Sequence, residues 1–351
     1  MLLEEEGLAG KRVTSFDVAR EAGVSRSTVS FVLNNVKSVS INEATRQRVF
    51  EAAKRLNYHP DASGRKLVTG KSSTIGLVLQ QSPEQVFADA FLLRVMLGIE
   101  QSVSQCGYHV LLKPYDPRHF AGYSQLVSEN LVDGIILSGP RQDDSEIARF
   151  SENGFPIILM GQLSGCSLPY VDVNAVEGAA TATRHLLQLG HKRIGLITNA
   201  SLQYTSAQQR RQGYVDALTG AGIAIDPELI FEGGYTSESG YEAMLKMLEL
   251  PVQPTAVFVA SDVVALGAMK AIHLAGKRIP EDIAVVGFDD VPVAAYVDPP
   301  LTTIRLPAFE LGWRAGEQLT KLLLGKPLEQ QGLLLDIQLV VRESTMGRTV
   351  T

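Results

Sequence analysis

Residues 13–35, VTSFDVAREAGVSRSTVSFVLNN, constrain the fold more than any other stretch of this chain. They read as two short helices hinged at a glycine. Thr14 caps the first helix, with Asp17 three residues on to answer it. Phe16, Val18, Ala19 and Ala22 offer that helix a core side. Gly23 allows the sharp turn, because glycine adopts a left-handed backbone without steric penalty. Ser25 caps a second helix whose inner side is Val29, Val32 and Leu33 and whose outer side, near its start, shows Arg26, Ser27 and Ser30. A helix that buries one face and presents arginine and serine at its first turn suits insertion into the major groove of DNA. An ordinary small helical cluster has the same apolar spacing, so these two helices alone leave both readings open.

The next residues narrow the choice. Ser40-Ile41-Asn42-Glu43 reads as a second capping box, opening a helix with Val49, Ala52, Ala53 and Leu56 on one face. Asn57-Tyr58-His59-Pro60 ends it, which gives a compact three-helix headpiece. In order and length, this run followed by VSINEATRQRVFEAAKRLNYHP resembles the DNA-binding headpiece of the lactose-repressor (LacI/GalR) family of bacterial transcription regulators.

Charge is distributed to match. The formal net charge of −6 over 351 residues, read whole, argues against a nucleic-acid partner. Residues 11–72, however, carry twelve Lys/Arg against five Asp/Glu, whereas residues 73–351 carry twenty against thirty. A basic N-terminal unit on an acidic body is the asymmetry of a DNA-binding module joined to something else. Cys106 and Cys166 make no disulfide framework and no metal-ligand spacing, so two free thiols in a reducing cytosol are expected. The resemblance implies a turn role for His191, before Lys192-Arg193, and not that of a metal ligand; His109, His185 and His273 read as packing or surface residues. No metal site and no cofactor is expected. The start MLLEEEGLAG lacks the pattern of a signal peptide and no apolar run approaches a membrane span, so a soluble, cytoplasmic protein with no membrane partner is expected.

Residues 60–72 are small, polar and basic around the aliphatic pair Leu67-Val68, the composition of an interdomain linker. The resemblance implies a hinge there that becomes helical on operator DNA. Leu67 would be its apolar wedge in the minor groove, beside Arg65 and Lys66; Gly64 stands where relatives usually carry alanine. From residue 73 short β-branched runs recur at Thr74–Leu79, Tyr108–Leu112, Gly134–Leu137, Pro156–Met160, Arg193–Thr198, Ala256–Ala260 and Ile283–Phe288. Helical stretches such as Phe91–Gln105 and Ala207–Thr219 separate them. This alternation predicts βαβ units and parallel sheets. Their number exceeds one comfortable sheet, so the expected fold class is α/β, with two doubly wound subdomains facing a cleft behind the helix-turn-helix headpiece. The resemblance implies a core like the periplasmic sugar-binding proteins. The expected domains are a headpiece over 11–59, a hinge over 60–72, and an effector-binding and dimerisation core over 73–345. Within the core, the N-subdomain takes about 73–172 plus 302–330 and the C-subdomain about 173–301 plus 331–345.

Open α/β sheets bind ligands beyond the carboxyl ends of their strands. Gln80 and Gln81 follow the Thr74–Leu79 run, Ser261 and Asp262 follow Ala256–Ala260, and Asp289 follows Ile283–Phe288. Arg210 lies near the start of a helix facing the same side. An amide, a hydroxyl, a carboxylate and a guanidinium suit a polyhydroxylated ligand, with Phe87 or Phe91 as a flat apolar wall. Taken singly, an Asp after a strand more often caps the next helix, and an Arg on a helix is more often a solvated charge. The resemblance implies effector contacts at Arg210 and Asp289, and an asparagine commonly in place of Ser261; Asp262 reads as structural. On the DNA side, Arg26 and Ser27 take the first exposed positions of the recognition helix, where Arg pairs with guanine O6 and N7. The resemblance implies a third specificity position at Phe31, whose ring can meet only a thymine methyl. Thr14, Ser25 and Thr28 read as caps and phosphate contacts, which position without specifying, and Ser30 and Asn34 complete the DNA-facing set.

Together these readings predict an allosteric transcription regulator that is not an enzyme. It is read as a repressor, homodimeric on a pseudopalindromic double-stranded operator and controlled by a small effector, a sugar. Nine residues after Arg342, without leucine heptads, favour a dimer over a tetramer. Within the family the alternatives are a purine or a sugar phosphate as effector. Outside it stand a sugar-binding transport component, which needs a signal peptide and no headpiece, and a phosphotransferase, which needs a phosphate-cradling glycine loop that does not occur.

Overall fold

In a computed structural model, the structure describes residues 13–34, 36, 39–58, 70–115 and 122–346. The chain divides into two compact units, one within residues 1–72 and one within 73–351.

The first unit holds α1 (Ser15–Ala22), α2 (Arg26–Leu33) and α3 (Glu43–Arg55). The Asp17 carboxylate accepts from the Thr14 backbone N–H at 2.9 Å and from its hydroxyl at 2.7 Å. Gly23 ends α1 with φ 64° and ψ 41°, the left-handed geometry that favours glycine. Ser25 Oγ accepts from the Thr28 N–H at 3.1 Å and starts α2. Val18, Ala19, Ala22, Val29, Val32, Val49, Ala52 and Ala53 form one buried cluster, with Leu33 and Leu56 at its margin. Two details differ from expectation. Phe16 is 58 % exposed; it precedes Val18 by two residues, about 200° around a helix, so it cannot share the core face. The cap of α3 is Asn42, whose Oδ1 accepts from the Thr45 N–H at 2.7 Å, and not Ser40. The hinge positions Gly64, Arg65, Lys66 and Leu67 lie outside the described residues.

The second unit contains two six-stranded sheets. The first is built from β1 (Thr74–Leu79), β2 (His109–Pro114), β3 (Gly134–Ser138), β4 (Ile157–Met160), β5 (Tyr170–Val173) and β11 (Gly332–Leu335). Its order is β2-β1-β3-β4-β5-β11 and every pairing is parallel. The second comprises β6 (Ile194–Ile197), β7 (Ile230–Phe231), β8 (Ala256–Val259), β9 (Ala284–Asp289), β10 (Thr302–Arg305) and β12 (Gln338–Val340). It runs β7-β6-β8-β9-β10-β12, parallel except at the edge, where β12 is antiparallel to β10. Their central strands, β1, β3, β4, β6, β8 and β9, are short, rich in β-branched residues and buried on both faces, as sheets covered by helices on both sides require.

The later crossings between subdomains fall elsewhere than the sequence suggested. β10 pairs with β9, so 302–305 belongs to the second subdomain and not the first. β11 pairs with β5, so 332–335 belongs to the first subdomain and not the second. Thr302-Thr303-Ile304 is a β-branched run whose backbone groups are satisfied on the edge of β9 before the chain leaves. Only then does the helix Ala308–Leu323 cross, setting Ala308, Leu311, Ala315 and Leu319 into the core beneath Ile75, Leu77 and Ile136. No helix among the described residues is long and apolar enough to cross a membrane. Cys106 is exposed, Cys166 half-buried, and both are free.

Candidate functional site

The carboxyl ends of strands from both sheets meet at one cleft in the second unit. Gln81, Ser138 and Met160 come from the ends of β1, β3 and β4, and Asp172 lies on β5. Asn199, Ser261 and Asp289 come from the ends of β6, β8 and β9. Asp89 and Phe91 open the helix Ala90–Ser104. Arg210 and Tyr235 complete the wall.

Arg210 is seated by packing. Its helix, Thr205–Gly220, lies so close to the helix Ala175–Gln188 that a Cβ on Gly213 would meet the Val176 carbonyl oxygen at 2.0 Å. The guanidinium, 8 % exposed, stands 3.4 Å from an Asp289 carboxylate oxygen and donates to the Ala260 carbonyl. It also stacks 4.1 Å from the centre of the Phe288 ring. Its Nε has no partner. Burial raises the Asp289 carboxyl well above the ordinary range, against the lowering effect of Arg210 and a hydrogen bond from Ser261. Asp89 and Asp172 are raised by desolvation as well. Asp289, at φ 122°, and Tyr235, at φ 60°, hold backbone conformations rare for side-chain-bearing residues. Such strain collects where a site needs a fixed geometry.

Of the residues singled out in the sequence, Arg210, Asp289, Ser261 and Phe91 are thus brought together in one cleft. Gln80 and Phe87 are not. Gln80 is buried, with its side-chain amide donating to Asp144 and its backbone carbonyl accepting from the Tyr204 hydroxyl; its neighbour Gln81 lines the cleft instead. Successive residues of extended chain point to opposite sides, so only one of the pair can. Phe87 is 61 % exposed and lies off the cleft, because Asp89 breaks the helix and starts another at Ala90. Asp262 lies fully buried beneath the floor. It accepts from the Val291 N–H at 2.9 Å and the Thr303 hydroxyl at 2.6 Å, and desolvation pushes its pKa up to about 6. It braces the connection between β9 and β10, in line with a structural role.

Asp89, Asp172, Asn199 and Tyr235 were not anticipated. Asn199 follows a run the sequence did mark, Arg193–Thr198, so the strand-end rule could have found it. Asp172 sits on a strand, YVDV, that alternates polar and apolar residues and so lacks the continuous apolar run that marked β4, β6 and β8. His185 and His191 each pair with a threonine, Thr345 at 3.0 Å and Thr255 at 2.9 Å. No group of three or more metal-ligating side chains occurs among the described residues.

In the first unit, Arg26 and Ser27 are exposed on the opening turn of α2, and Ser30, Phe31 and Asn34 lie half-buried further along. Arg20, Arg46 and Arg55 pair with Asp17, Glu43 and Glu21, whereas Arg26 makes no ion pair among the described residues. Thr14 and Ser25 are exposed and Thr28 half-buried, with the hydroxyls of Ser25 and Thr28 2.9 Å apart. The α2 start therefore combines a free guanidinium, hydroxyls and the positive end of a helix dipole, a set that suits phosphates and base edges.

A basic three-helix headpiece and a two-lobed α/β core with a polar cleft are the architecture of a DNA-binding transcription regulator. Residues 16–61 match the family of bacterial regulatory proteins called the lacI family, and residues 183–345 match a periplasmic binding protein-like domain. The chain is 35 % identical over 335 residues to the HTH-type transcriptional repressor CytR of Escherichia coli (strain K12), covering 95 % of this chain and 96 % of that protein. It is similar to the Lac repressor dimer bound to operator and the anti-inducer ONPF, with TM-score 0.82, 30 % identity, and coverage of 96 % of this chain and 100 % of that one. It is also similar to a transcriptional regulator CelR–cellobiose complex, with TM-score 0.73, 33 % identity, and coverage of 95 % and 100 %. The chain belongs to the LacI family, whose members are DNA-binding transcription regulators and not enzymes.

Proposed function

We propose that this protein represses transcription as a homodimer on a pseudopalindromic operator, and that a sugar bound in the cleft controls it. The observation that carries the effector reading is the cleft's composition. It combines an ion-paired arginine and aspartate (Arg210, Asp289), a hydroxyl (Ser261) and a flat apolar wall (Phe91) at the carboxyl ends of two facing sheets. Sugars offer alternating hydroxyls and apolar ring faces, which such a site can match. The likeness to regulators described with cellobiose and with ONPF supports the same reading.

Phe91, Asp89 and Asp172 belong to the first subdomain, Arg210, Ser261 and Asp289 to the second. A ligand touching both sets favours one separation of the lobes and shifts the equilibrium only by its difference in affinity for the two states. On DNA, Arg26 and Ser27 read base edges, Phe31 meets a thymine methyl, and Thr14, Ser25, Thr28, Ser30 and Asn34 hold the backbone. Leu67 is the minor-groove wedge.

The test is a thermal-shift screen of sugars, sugar phosphates and purines on the full chain, followed by operator titrations with and without each hit. Arg210→Ala and Asp289→Ala are expected to bind operator and to lose the response. A saccharide that acts equally on both variants and on wild type would remove the cleft from the effector role.

A further inference from the structure

We propose that the cleft is a charge filter, set by Asp172, that admits hydroxyl- or amine-bearing ligands and rejects their phosphorylated or carboxylated forms. This rests on the reading of the cleft as the effector site.

The argument is an inventory of what the protein leaves unsatisfied. Among the described residues Arg210 is the single cation lining the cleft, against three carboxylates, Asp89, Asp172 and Asp289. That cation is already committed to Asp289, the Ala260 carbonyl and the Phe288 ring. Asn199, 1 % exposed, donates its amide to Ser206 at 3.2 Å and leaves its Oδ1 buried without a partner. Buried polar atoms in folded proteins are nearly always hydrogen-bonded, so an orphaned acceptor facing a cavity marks a place for a donor. The orphaned donor is Arg210 Nε. A hydroxyl serves both kinds of atom, donating to one and accepting from the other. A phosphate brings acceptors alone, with negative charge, into a wall already negative.

Asp172 differs from the other two carboxylates in what the protein needs of it. Asp289 balances Arg210, and Asp89 accepts from the Phe91 N–H at 2.9 Å and caps a helix. Asp172 accepts an amide hydrogen from the Gln162 side chain at 3.0 Å and backbone N–H bonds from Val173 and Gln162, acceptor roles that the side-chain oxygen of an asparagine can also fill. Its charge makes no ion pair among the described residues; only the attraction of Arg210 and these hydrogen bonds favour it. Desolvation, which raises its pKa, makes that charge unfavourable to keep. A half-buried carboxylate that makes no ion pair, in a cleft wall, is a specificity determinant by its position.

The experiment is calorimetry on the full chain with matched pairs: glucose and glucose 6-phosphate, cellobiose and its 6-phosphate, ribose and ribose 5-phosphate, with glucosamine as the amine probe. The parent sugar that binds is expected to do so at least about tenfold more tightly than its phosphate, and Asp172→Asn is expected to shrink that ratio about tenfold. Asp172→Asn is also expected to melt at a higher temperature than wild type at neutral pH. That advantage should fade as pH falls through the raised Asp172 pKa and the wild-type carboxyl takes up a proton. A phosphate that binds wild type as tightly as its parent, or a ratio unchanged in Asp172→Asn, overturns the filter. If no saccharide of either kind binds, it is the effector proposal that falls, and the filter with it.

Discussion

Arg26 and Arg210 are both arginines placed to meet a ligand, and their surroundings are opposite. Arg26 is exposed on the first turn of α2 and makes no ion pair among the described residues. Arg210 is 8 % exposed and held by a carboxylate, a carbonyl and an aromatic face. An exposed guanidinium stays solvated until its partner arrives, so it contributes to binding and almost nothing to folding. A buried one has lost its water and must be compensated within the protein, so fold and site rest on the same contacts. Operator recognition and effector recognition should therefore respond differently to the same arginine-to-alanine change.

The largest effect is expected at Arg210. Arg210→Ala leaves Asp289 buried without its counter-ion, which costs about 3 kcal/mol or more of stability wherever that carboxyl is ionised. The sign of the pH dependence follows from the pair. Burial already raises the Asp289 pKa and Arg210 holds it down, so removing Arg210 moves it further up. As pH falls through that value the carboxyl takes a proton and the penalty lifts. Urea midpoints of wild type and variant should converge as pH falls. Arg26→Ala should leave the midpoint where it is; a comparable loss there would break the contrast.

A smaller effect is expected beneath the cleft. Thr303→Val keeps the shape of a β-branched strand residue but removes the hydroxyl that donates to Asp262 at 2.6 Å. A hydrogen bond to a charged group contributes about 1.5–3 kcal/mol. The Asp262 pKa is about 6, so the full loss should appear above that pH, where the carboxyl is ionised, and diminish below it. A pH-independent loss would mean that packing, not charge, sets the role of Thr303.

Arg26→Ala should show its cost in operator binding alone, about 1–3 kcal/mol, with relaxed preference at one base pair per half-site. Competition between operators substituted at single positions checks this. A uniform loss on all sequences would demote Arg26 from reading bases to holding phosphate.

The same contrast explains what could be read from the sequence. The headpiece is specified locally: Thr14, Gly23 and Ser25 act within four residues of themselves, so caps and turn are visible in a short window. The parallel strands announced themselves as β-branched runs, and the strand-end rule then pointed to Ser261 and Asp289. Arg210 needed the family resemblance, since nothing in its helix distinguishes it from a solvated charge. Asp89 and Asp172 were not legible, because their meaning depends on Arg210, more than thirty residues away in sequence, and on helix and strand ends that only packing defines. The exchange of β10 and β11 between sheets was hidden for a similar reason: which edge a short strand joins is decided by the neighbouring subdomain.

The smallest predicted effect separates a pattern from the contact that realises it. Two residues compete to start α3. Ser40-Ile41-Asn42-Glu43 places a serine three residues before a glutamate, the spacing of a capping box. In the structure Asn42 has the extended backbone of a cap, φ −65° and ψ 152°, and its Oδ1 accepts from the Thr45 N–H at 2.7 Å. An N–H at a helix start has no partner within the helix, so the residue that supplies one carries the stabilisation. Asn42→Ala should therefore cost the headpiece about 1 kcal/mol. Ser40→Ala, at an exposed position two residues upstream, should change its stability by less than about 0.5 kcal/mol. Thermal unfolding of the headpiece followed by amide exchange at Thr45 distinguishes them: protection lost in Ser40→Ala and kept in Asn42→Ala would restore the capping box the sequence suggests.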